Sequence, residues 1–377
     1  MRRNAVAAIL IWLTVACGHV GTPPSADQAS AARTAPTVAP TADQVASGVR
    51  SNPLPPVPQG TQVSCTAKPN GLPLAFVWPS RPEIAAVVDL SDLANPRTLC
   101  TLTNVDPLAR FYSAAEISYV SPRFGPSVNL VRTNVTTHVT ETFLPGGAEL
   151  WDWSRDGNAL AYFTAGQLWL KHQGKQAVSL ASYKMQPGRG GGWIDELAIR
   201  FSPSGQYFVF VHTVTIPVTF EIRRASDGGL VWSHPADFFS GNIATKAVWA
   251  RQRDRLYFRD NEGVRTWEPS GTVTTQVPGL RWITTSLSPD GNSIAYSVQE
   301  DKSPFTFRVA VLNLQTLQSR MLVADRVAAQ FASDRLLLYT KAGGGPGGSG
   351  VVAYDITTGV ETALPYDQVI DVWPAGL

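Results

Sequence analysis

The chain has few charged residues, and their signs are nearly balanced. They make up 16% of the 377 residues, against about 25% in an average soluble domain. With 31 Lys and Arg against 29 Asp and Glu, the formal net charge is +2. So small a charge gives no long-range attraction to nucleic acid, and we expect no nucleic-acid partner.

Histidine and cysteine are also scarce, which argues against a metal centre. None of the five histidines stands at metal-ligand spacing with cysteine or carboxylate neighbours. The glycine-rich run 343–348 fits a dinucleotide-binding pattern only formally, because a strand-forming segment rather than a helix follows it. The chain has no Gly-x-Ser-x-Gly motif of a hydrolase nucleophile. We therefore expect no metal and no cofactor, and we assign no catalytic residue.

The chain does contain a recurring turn. Trp153–Gly157 reads WSRDG, Phe201–Gly205 reads FSPSG and Leu287–Gly291 reads LSPDG, and a short apolar run follows each copy. Weaker matches centre on Phe111, Trp249, Phe331 and Trp373. Units spaced by 38 to 48 residues and built of short strands are typical of β-propeller blades.

These seven units predict an all-β propeller of seven four-stranded blades, with six or eight blades as the alternatives. The first unit starts at Leu74–Trp78 and lacks one strand, whereas the final strand, Gln368–Trp373, has no blade of its own. We expect this final strand to complete the first blade. The ring would then close by pairing the two ends of the domain, which leaves no large open sheet edge.

The repeated turn resembles that of the TolB-like and WD-repeat-like propellers, whose blades carry a Ser-Pro-Asp-Gly turn after an aromatic residue. Only the copy at 288–291 has all four residues; Ser204 replaces the acid in one copy and Arg155 replaces the proline in another. The resemblance covers the chain from about residue 65 to the end, and we assign residues 61–377 to the propeller domain. It does not imply an activity, because propellers host many unrelated functions.

The amino terminus predicts export and a lipid anchor. Arg2 and Arg3 precede an apolar stretch, Ala5–Ala16, that is too short to span a bilayer as a helix and has the character of a signal peptide. Cys17 follows it, so residues 1–16 resemble a bacterial lipoprotein signal with Cys17 as the lipidated residue. Thr14 departs from that pattern, which usually has leucine there. We expect an extracytoplasmic protein anchored in a cell membrane; ordinary signal cleavage and an uncleaved anchor are the alternatives.

Residues 17–60 are rich in Ala, Pro, Thr and Ser and poor in large apolar groups, so they predict a disordered tether. Cys65 and Cys100 are then the remaining cysteines. In an exported protein such a pair predicts a disulfide, here one that fixes the start of the domain to the first blade. Two buried free thiols are the alternative.

The two faces of the ring are expected to differ. We call the first face the one that carries the turns between strands one and two and between strands three and four of each blade; the second face carries the other connections. The long connections fall on the second face: 183–193, 213–219, 234–242, 299–304 and 342–350. Binding residues concentrate in loops on a rigid scaffold.

Arginine and aromatic side chains dominate binding hot spots, and the sequence places several at this face. The predicted partner-binding residues are Lys184, Arg189, Trp193, Phe238, Phe239, Arg281 and Trp282. The alternative is that Trp193 and the two phenylalanines pack within the protein itself.

The sequence therefore predicts a membrane-anchored scaffold or binding module for an envelope protein or a cell-wall glycan. The alternative is an envelope hydrolase, carbohydrate-active or of the lactonase type, with its site in the axial channel. Its candidate acids are Asp152, Asp195 and Asp371, and a non-enzymatic role is favoured.

Overall fold

The computed structural model describes residues 61–78, 84–105, 109–121, 128–183, 198–212, 219–235, 247–280, 282, 285–300, 306–341 and 350–375. Contacts along the chain separate residues 1–55 from residues 56–377. The predicted signal peptide, lipidation site and tether lie outside the described residues. The described chain consists of β-strands and turns without a helix, and it holds no helix long and apolar enough to cross a membrane.

Within these described ranges, twenty-nine strands form seven antiparallel sheets. Blade 1 contains β1 (Gln62–Cys65), β2 (Leu74–Trp78), β3 (Ile84–Asp89), β4 (Arg97–Thr103) and β29 (Gln368–Trp373). Blade 2 contains β5 (Arg110–Ser113), β6 (Glu116–Ser121), β7 (Asn129–Asn134) and β8 (Thr140–Pro145). Blade 3 contains β9 (Leu150–Trp153), β10 (Ala159–Thr164), β11 (Gln167–His172) and β12 (Val178–Ser182).

The remaining blades follow in chain order. Blade 4 contains β13 (Ala198–Phe201), β14 (Tyr207–His212), β15 (Thr219–Arg224) and β16 (Leu230–Pro235). Blade 5 contains β17 (Val248–Trp249), β18 (Leu256–Asp260), β19 (Gly263–Trp267) and β20 (Val273–Pro278). Blade 6 contains β21 (Thr285–Leu287), β22 (Ser293–Glu300), β23 (Thr306–Asn313) and β24 (Ser319–Ala324). Blade 7 contains β25 (Arg326–Phe331), β26 (Leu336–Lys341), β27 (Val351–Asp355) and β28 (Glu361–Ala363).

The predicted closure of the ring is confirmed. Strand β29 pairs with β2, with Leu74 opposite Trp373 and Trp78 opposite Gln368, so the last strand of the chain is the innermost strand of blade 1. The seven residues that mark the sequence repeat all lie in the innermost strand of a blade. First strands of successive blades contact one another, as β9 does β13 and β21 does β25.

Blade 1 has a fifth strand that the sequence pattern did not predict. Strand β1 pairs with the outer edge of β4, and Cys65 lies directly opposite Cys100. The two cysteines form the predicted disulfide. Strand β1 is therefore the outermost strand of blade 1, and the disulfide fixes it covalently to β4.

The core is divided among the interfaces between blades. Seven apolar clusters each combine residues of two neighbouring blades. Between blades 2 and 3, for example, Trp151 is fully buried against Val120 and Leu130, and its indole N–H donates to Ser118 Oγ at 2.9 Å. Both sides of each sheet pack against neighbouring blades, which accounts for the low content of charged residues.

The recurring turns form the first face and are structural. In the blade 3 turn, Asp156 Oδ1 accepts the Ser154 hydroxyl at 2.6 Å and the Asn158 backbone N–H at 3.1 Å. Gly157 has φ +72°, and a Cβ there would lie 2.1 Å from Tyr112 Oη. Neighbouring turns also interlock: the Ser204 hydroxyl donates to Asp254 Oδ2 of the next blade at 2.6 Å. Turns of the first face are thus bonded to turns of the next blade at several places between blades 4 and 7.

Candidate functional site

The second face is built differently from the first. Its connections vary from the single residue between β24 and β25 to the long segments 183–197 and 236–247. The candidate residues Lys184, Arg189, Trp193, Phe238, Phe239 and Arg281 all lie in such connections and outside the described residues. What the structure describes is the framework from which these connections start.

The longest connection starts above a buried charged cluster between blades 3 and 4, which we call the Glu221 cluster. Tyr183, the residue after β12, donates its hydroxyl to Glu221 Oε2 at 2.8 Å. Arg223 donates to the same oxygen from Nε at 2.9 Å and from Nη2 at 2.7 Å. His212, which ends β14 and is 2% exposed, places Nε2 3.1 Å from Glu221 Oε1.

The electrostatics of this cluster keep Glu221 ionised. Burial acts to raise the pKa of Glu221, but hydrogen bonds from His212 and Tyr183 and the charge of Arg223 outweigh it and lower the pKa to about 2. Burial and then the adjacent carboxylate raise the pKa of Tyr183, so its phenol remains a hydrogen-bond donor. A buried charge held by this many partners fixes the strand ends that meet there.

The second-longest connection starts at a similar cluster between blades 4 and 5, the Asp260 cluster. His234 lies near the end of β16, with Nε2 2.8 Å from Asp260 Oδ2. Arg265 Nη1 donates to the same oxygen at 2.9 Å, and the Glu262 backbone N–H donates to the other oxygen at 2.8 Å. Burial acts to raise the pKa of Asp260, but these hydrogen bonds lower it overall. His234 also stacks on Trp232, with ring centroids 5.2 Å apart.

The two clusters follow one plan. The outer strand of one blade ends at a Tyr or His that bonds to a carboxylate of the next blade, and an arginine holds that carboxylate in place. Glu221 and Arg223 are two residues apart on one strand, so their side chains lie on the same side of the sheet. This spacing can be read from the sequence. The partners Tyr183 and His234 come from other blades, so local sequence patterns could not identify them.

The candidate Trp282 lies in the core. Its side chain is 0% exposed and packs with Tyr296 at 6.3 Å between ring centroids. Its carbonyl accepts Arg259 Nη1 at 3.0 Å. Trp282 therefore supports the wall between blades 5 and 6 and presents no surface to a partner.

Two of the three candidate channel acids hold neighbouring blades together; the third, Asp195, lies outside the described residues. Asp371 Oδ2 accepts the Phe111 backbone N–H at 2.7 Å, and Asp152 Oδ2 accepts that of Phe201 at 2.8 Å. These N–H groups lie on inner strands of the next blades, where they would otherwise lack a partner. This geometry favours a structural role for both acids.

The environment of Asp152 shifts its titration. Burial raises the pKa of Asp152 to about 6, although the charge of Arg110 and the Phe201 hydrogen bond act to lower it. Arg110 Nη1 lies 4.0 Å from Asp152 Oδ1. Among the residues that the structure describes, no group of three or more His, Cys, Asp or Glu side chains is placed to hold a metal ion.

With this architecture in place, the chain can be compared with known proteins. No family model matches it, and no curated protein matches it in sequence. Solved structures match its fold. One is a putative 6-phosphogluconolactonase from Bacteroides fragilis, at 11% identity and a TM-score of 0.51 over 82% of this chain and 99% of that one.

Two further structures are similar at the same level. A prolyl endopeptidase matches with 11% identity and a TM-score of 0.50 over 81% of this chain, which spans 50% of the endopeptidase. TolB from Acinetobacter baumannii matches with 12% identity and a TM-score of 0.48 over 82% of this chain and 68% of TolB. The seven sheets of the chain form a β-propeller, as the turns predicted, and these similarities concern the fold alone.

Proposed function

We propose that the protein is an extracytoplasmic binding module, anchored in a membrane through lipidated Cys17, whose second face contacts a component of the cell envelope. The observation that supports this most is the contrast between the faces. Turns of the first face are bonded to one another at several places, whereas the two longest connections lie on the second face and start at the Glu221 and Asp260 clusters. Binding loops need rigid supports of this kind.

The residues proposed to contact the partner are those of these connections. Lys184, Arg189 and Trp193 belong to the first, and Phe238 and Phe239 to the second. Aromatic anchors flanked by cations suit a partner that offers apolar pockets with acidic groups around them. Because Trp282 is buried, we leave it out of this surface.

The test is co-purification of the tagged protein from crosslinked membranes. A Phe238→Asp, Phe239→Asp double variant is compared with the unaltered protein at equal abundance. The matched control is Leu317→Asp with Val360→Asp, because these apolar residues are 37% and 59% exposed on the first face. We expect a specific protein that is recovered with the unaltered and control forms and lost with the double variant. Equal recovery with all three forms would refute the proposed surface.

The anchor has its own test. Replacing Cys17 by alanine removes the thiol to which acyl chains would attach. We expect the variant to lose incorporation of radiolabelled palmitate and to move from the membrane to the soluble fraction. Unchanged fractionation of the variant would contradict lipid anchoring at Cys17.

A further inference from the structure

The innermost strands of neighbouring blades do not approach one another equally closely. They lie against each other at six of the seven junctions, and the approach is least close between β5 of blade 2 and β9 of blade 3. The Arg110 side chain bridges this wider junction. It extends from β5 to β9, with Nη1 4.0 Å from Asp152 Oδ1, and its guanidinium lies 5.5 Å from the centroid of the Trp151 ring.

The hydrogen-bonding capacity of Arg110 is not met by the part of the chain that the structure describes. Its Nε and Nη1 are buried and have no hydrogen-bond partner there, and Arg110 is the only described arginine with two such nitrogens. At 4.0 Å, the contact with Asp152 is an ion pair without a hydrogen bond. Arg223, by contrast, directs two nitrogens at Glu221 within 2.9 Å. Because buried donors are almost always paired, Arg110 is suited to receive an acceptor from a ligand.

The site is accessible and its surroundings are fixed. The Arg110 side chain is 13% exposed and that of Asp152 is 20% exposed, so solvent reaches both groups. The Trp151 ring beside the guanidinium is fully buried, and its indole N–H donates to Ser118 Oγ at 2.9 Å. The Ser118 hydroxyl in turn donates to the Arg110 carbonyl at 3.5 Å. Donors held in place by such contacts are typical of preformed ligand sites.

We propose that Arg110 binds the carboxylate group of a small ligand at the junction between β5 and β9. Carboxylates form strong, charge-assisted hydrogen bonds with guanidinium groups. A singly charged anion suits this junction better than a doubly charged one, because Asp152 lies beside Arg110 and the charge of Asp371 acts on Asp152. The site does not depend on the partner surface proposed for the second face.

Asp152 competes with such a ligand for Arg110. Burial raises the pKa of Asp152 to about 6, against the opposing charge of Arg110. The other groups that face it are the Phe201 backbone N–H, which donates from β13 at 2.8 Å, and Asp371 on β29, whose charge raises its pKa further. Below pH 6 Asp152 is neutral and no longer repels an anion. Ligand binding is thus linked to protonation of Asp152, and affinity should be about tenfold weaker at pH 7 than at pH 5.

The probe for this site is sodium formate, which stays ionised from pH 5 to pH 7. Binding is followed through the NMR signal of the Trp151 indole N–H in protein with isotope-labelled tryptophan, and Trp151→Phe identifies that signal. Sodium chloride and sodium sulfate at equal ionic strength are the comparison salts. We expect a saturable shift with formate and a dissociation constant about tenfold larger at pH 7 than at pH 5.

Three variants make the titration specific. Arg110→Gln should abolish the saturable shift. The matched control is Arg200→Gln, because Arg200 also directly precedes the residue that marks the repeat in its blade, and its Nη1 donates to the Ile199 carbonyl at 2.8 Å; this variant should bind formate as the unaltered protein does. Asp152→Asn retains Arg110 and removes the titrating acid, so it should bind formate equally well at pH 5 and pH 7.

Several results would overturn the site. A shift that does not saturate, or that chloride reproduces, shows an adventitious ion only. Saturable binding that persists in Arg110→Gln would exclude Arg110 as the ligand-binding group. A tenfold pH dependence that persists in Asp152→Asn would contradict the link to Asp152, even if Arg110→Gln fails to fold. Tighter binding of sulfate than of formate would refute a carboxylate as the ligand.

Discussion

Single residues show how location within a propeller determines the chemistry of a carboxylate. Glu221 lies between two blades among three hydrogen-bond donors, and its pKa is lowered to about 2. Asp152 lies on β9, the innermost strand of blade 3, and burial raises its pKa to about 6. Both acids bond to a neighbouring blade. One therefore stabilises the fold as a charge, whereas the other costs free energy when it ionises.

We predict that Asp152→Asn stabilises the protein increasingly as the pH rises. The asparagine carbonyl can still accept the Phe201 N–H, but it cannot ionise. Because the pKa of Asp152 is higher in the folded than in the unfolded chain, the native protein loses stability relative to the variant between about pH 4 and pH 6. Above pH 6 the free energies of unfolding of the variant and the native protein should differ by about 3 kcal/mol. Urea unfolding of both forms at several pH values measures it, and a pH-independent difference would contradict the assignment.

At the scale of the element, the strand ends of the second face depend on the charged clusters. We predict that Glu221→Gln lowers stability by about 3 kcal/mol at pH 7, because it leaves Arg223 buried without its counter-charge. Since the pKa of Glu221 is lowered on folding, this loss should shrink as the pH falls from about 4.5 toward 2.

The control for this substitution is Glu262→Gln. Glu262 forms a surface ion pair with Arg265, and the Glu262 side chain is 64% exposed. It should cost less than about 1 kcal/mol. Equal effects of the two substitutions in urea unfolding at pH 7 would show that the Glu221 cluster does not support the fold in the way described.

Strand β1, the fifth strand of blade 1, gives a second prediction at this scale. Its disulfide closes a loop with a sequence separation of 35 residues. In the chain-entropy model, Cys65→Ser with Cys100→Ser should lower stability by about 3–4 kcal/mol. Hydrogen exchange should then show β1 opening while β2 and β3 remain protected. An unchanged unfolding midpoint under non-reducing conditions would contradict the role of this bridge.

The sequence predicts the strands well, but it does not predict the contacts that form between blades. Turn residues such as Asp290 and Gly291 and the apolar runs after them act locally, so they predicted the blades and their number. Strand β1 carries no repeat signal, and its place depends on pairing with a distant strand. Tyr183 and His234 acquire their roles only when neighbouring blades meet. Such relations are tertiary, and a single sequence does not display them.

One periodic signal in the sequence was missed. Asn134, Asn313 and Asp355 each start the turn between the third and fourth strands, and each side chain accepts two backbone N–H groups from that turn. Asn134 Oδ1, for example, accepts the backbone N–H groups of Thr136 and Thr137, each at 2.9 Å. Each of the three segments has threonine three residues after its Asn or Asp, a pattern that the sequence itself displays.

At the scale of the whole molecule, stability depends on closing the ring. Strand β29 completes blade 1, and Asp371 within it bonds to Phe111 of blade 2. We predict that deleting residues 366–377 abolishes cooperative unfolding, because it exposes the edge of β2 and opens two blade interfaces. A peptide of residues 366–377 added in trans should partly restore the transition. A truncated chain with unchanged unfolding would contradict closure by this strand.

The central claim is that this propeller binds its partner through the second face. The most direct test places a photo-crosslinking amino acid at Ala165, on that face, or at Gln176, at the other end of the same blade, in otherwise unaltered cells. The account predicts a discrete protein adduct from Ala165 and none from Gln176. An adduct from Gln176 alone, or no protein adduct from Ala165, would contradict it.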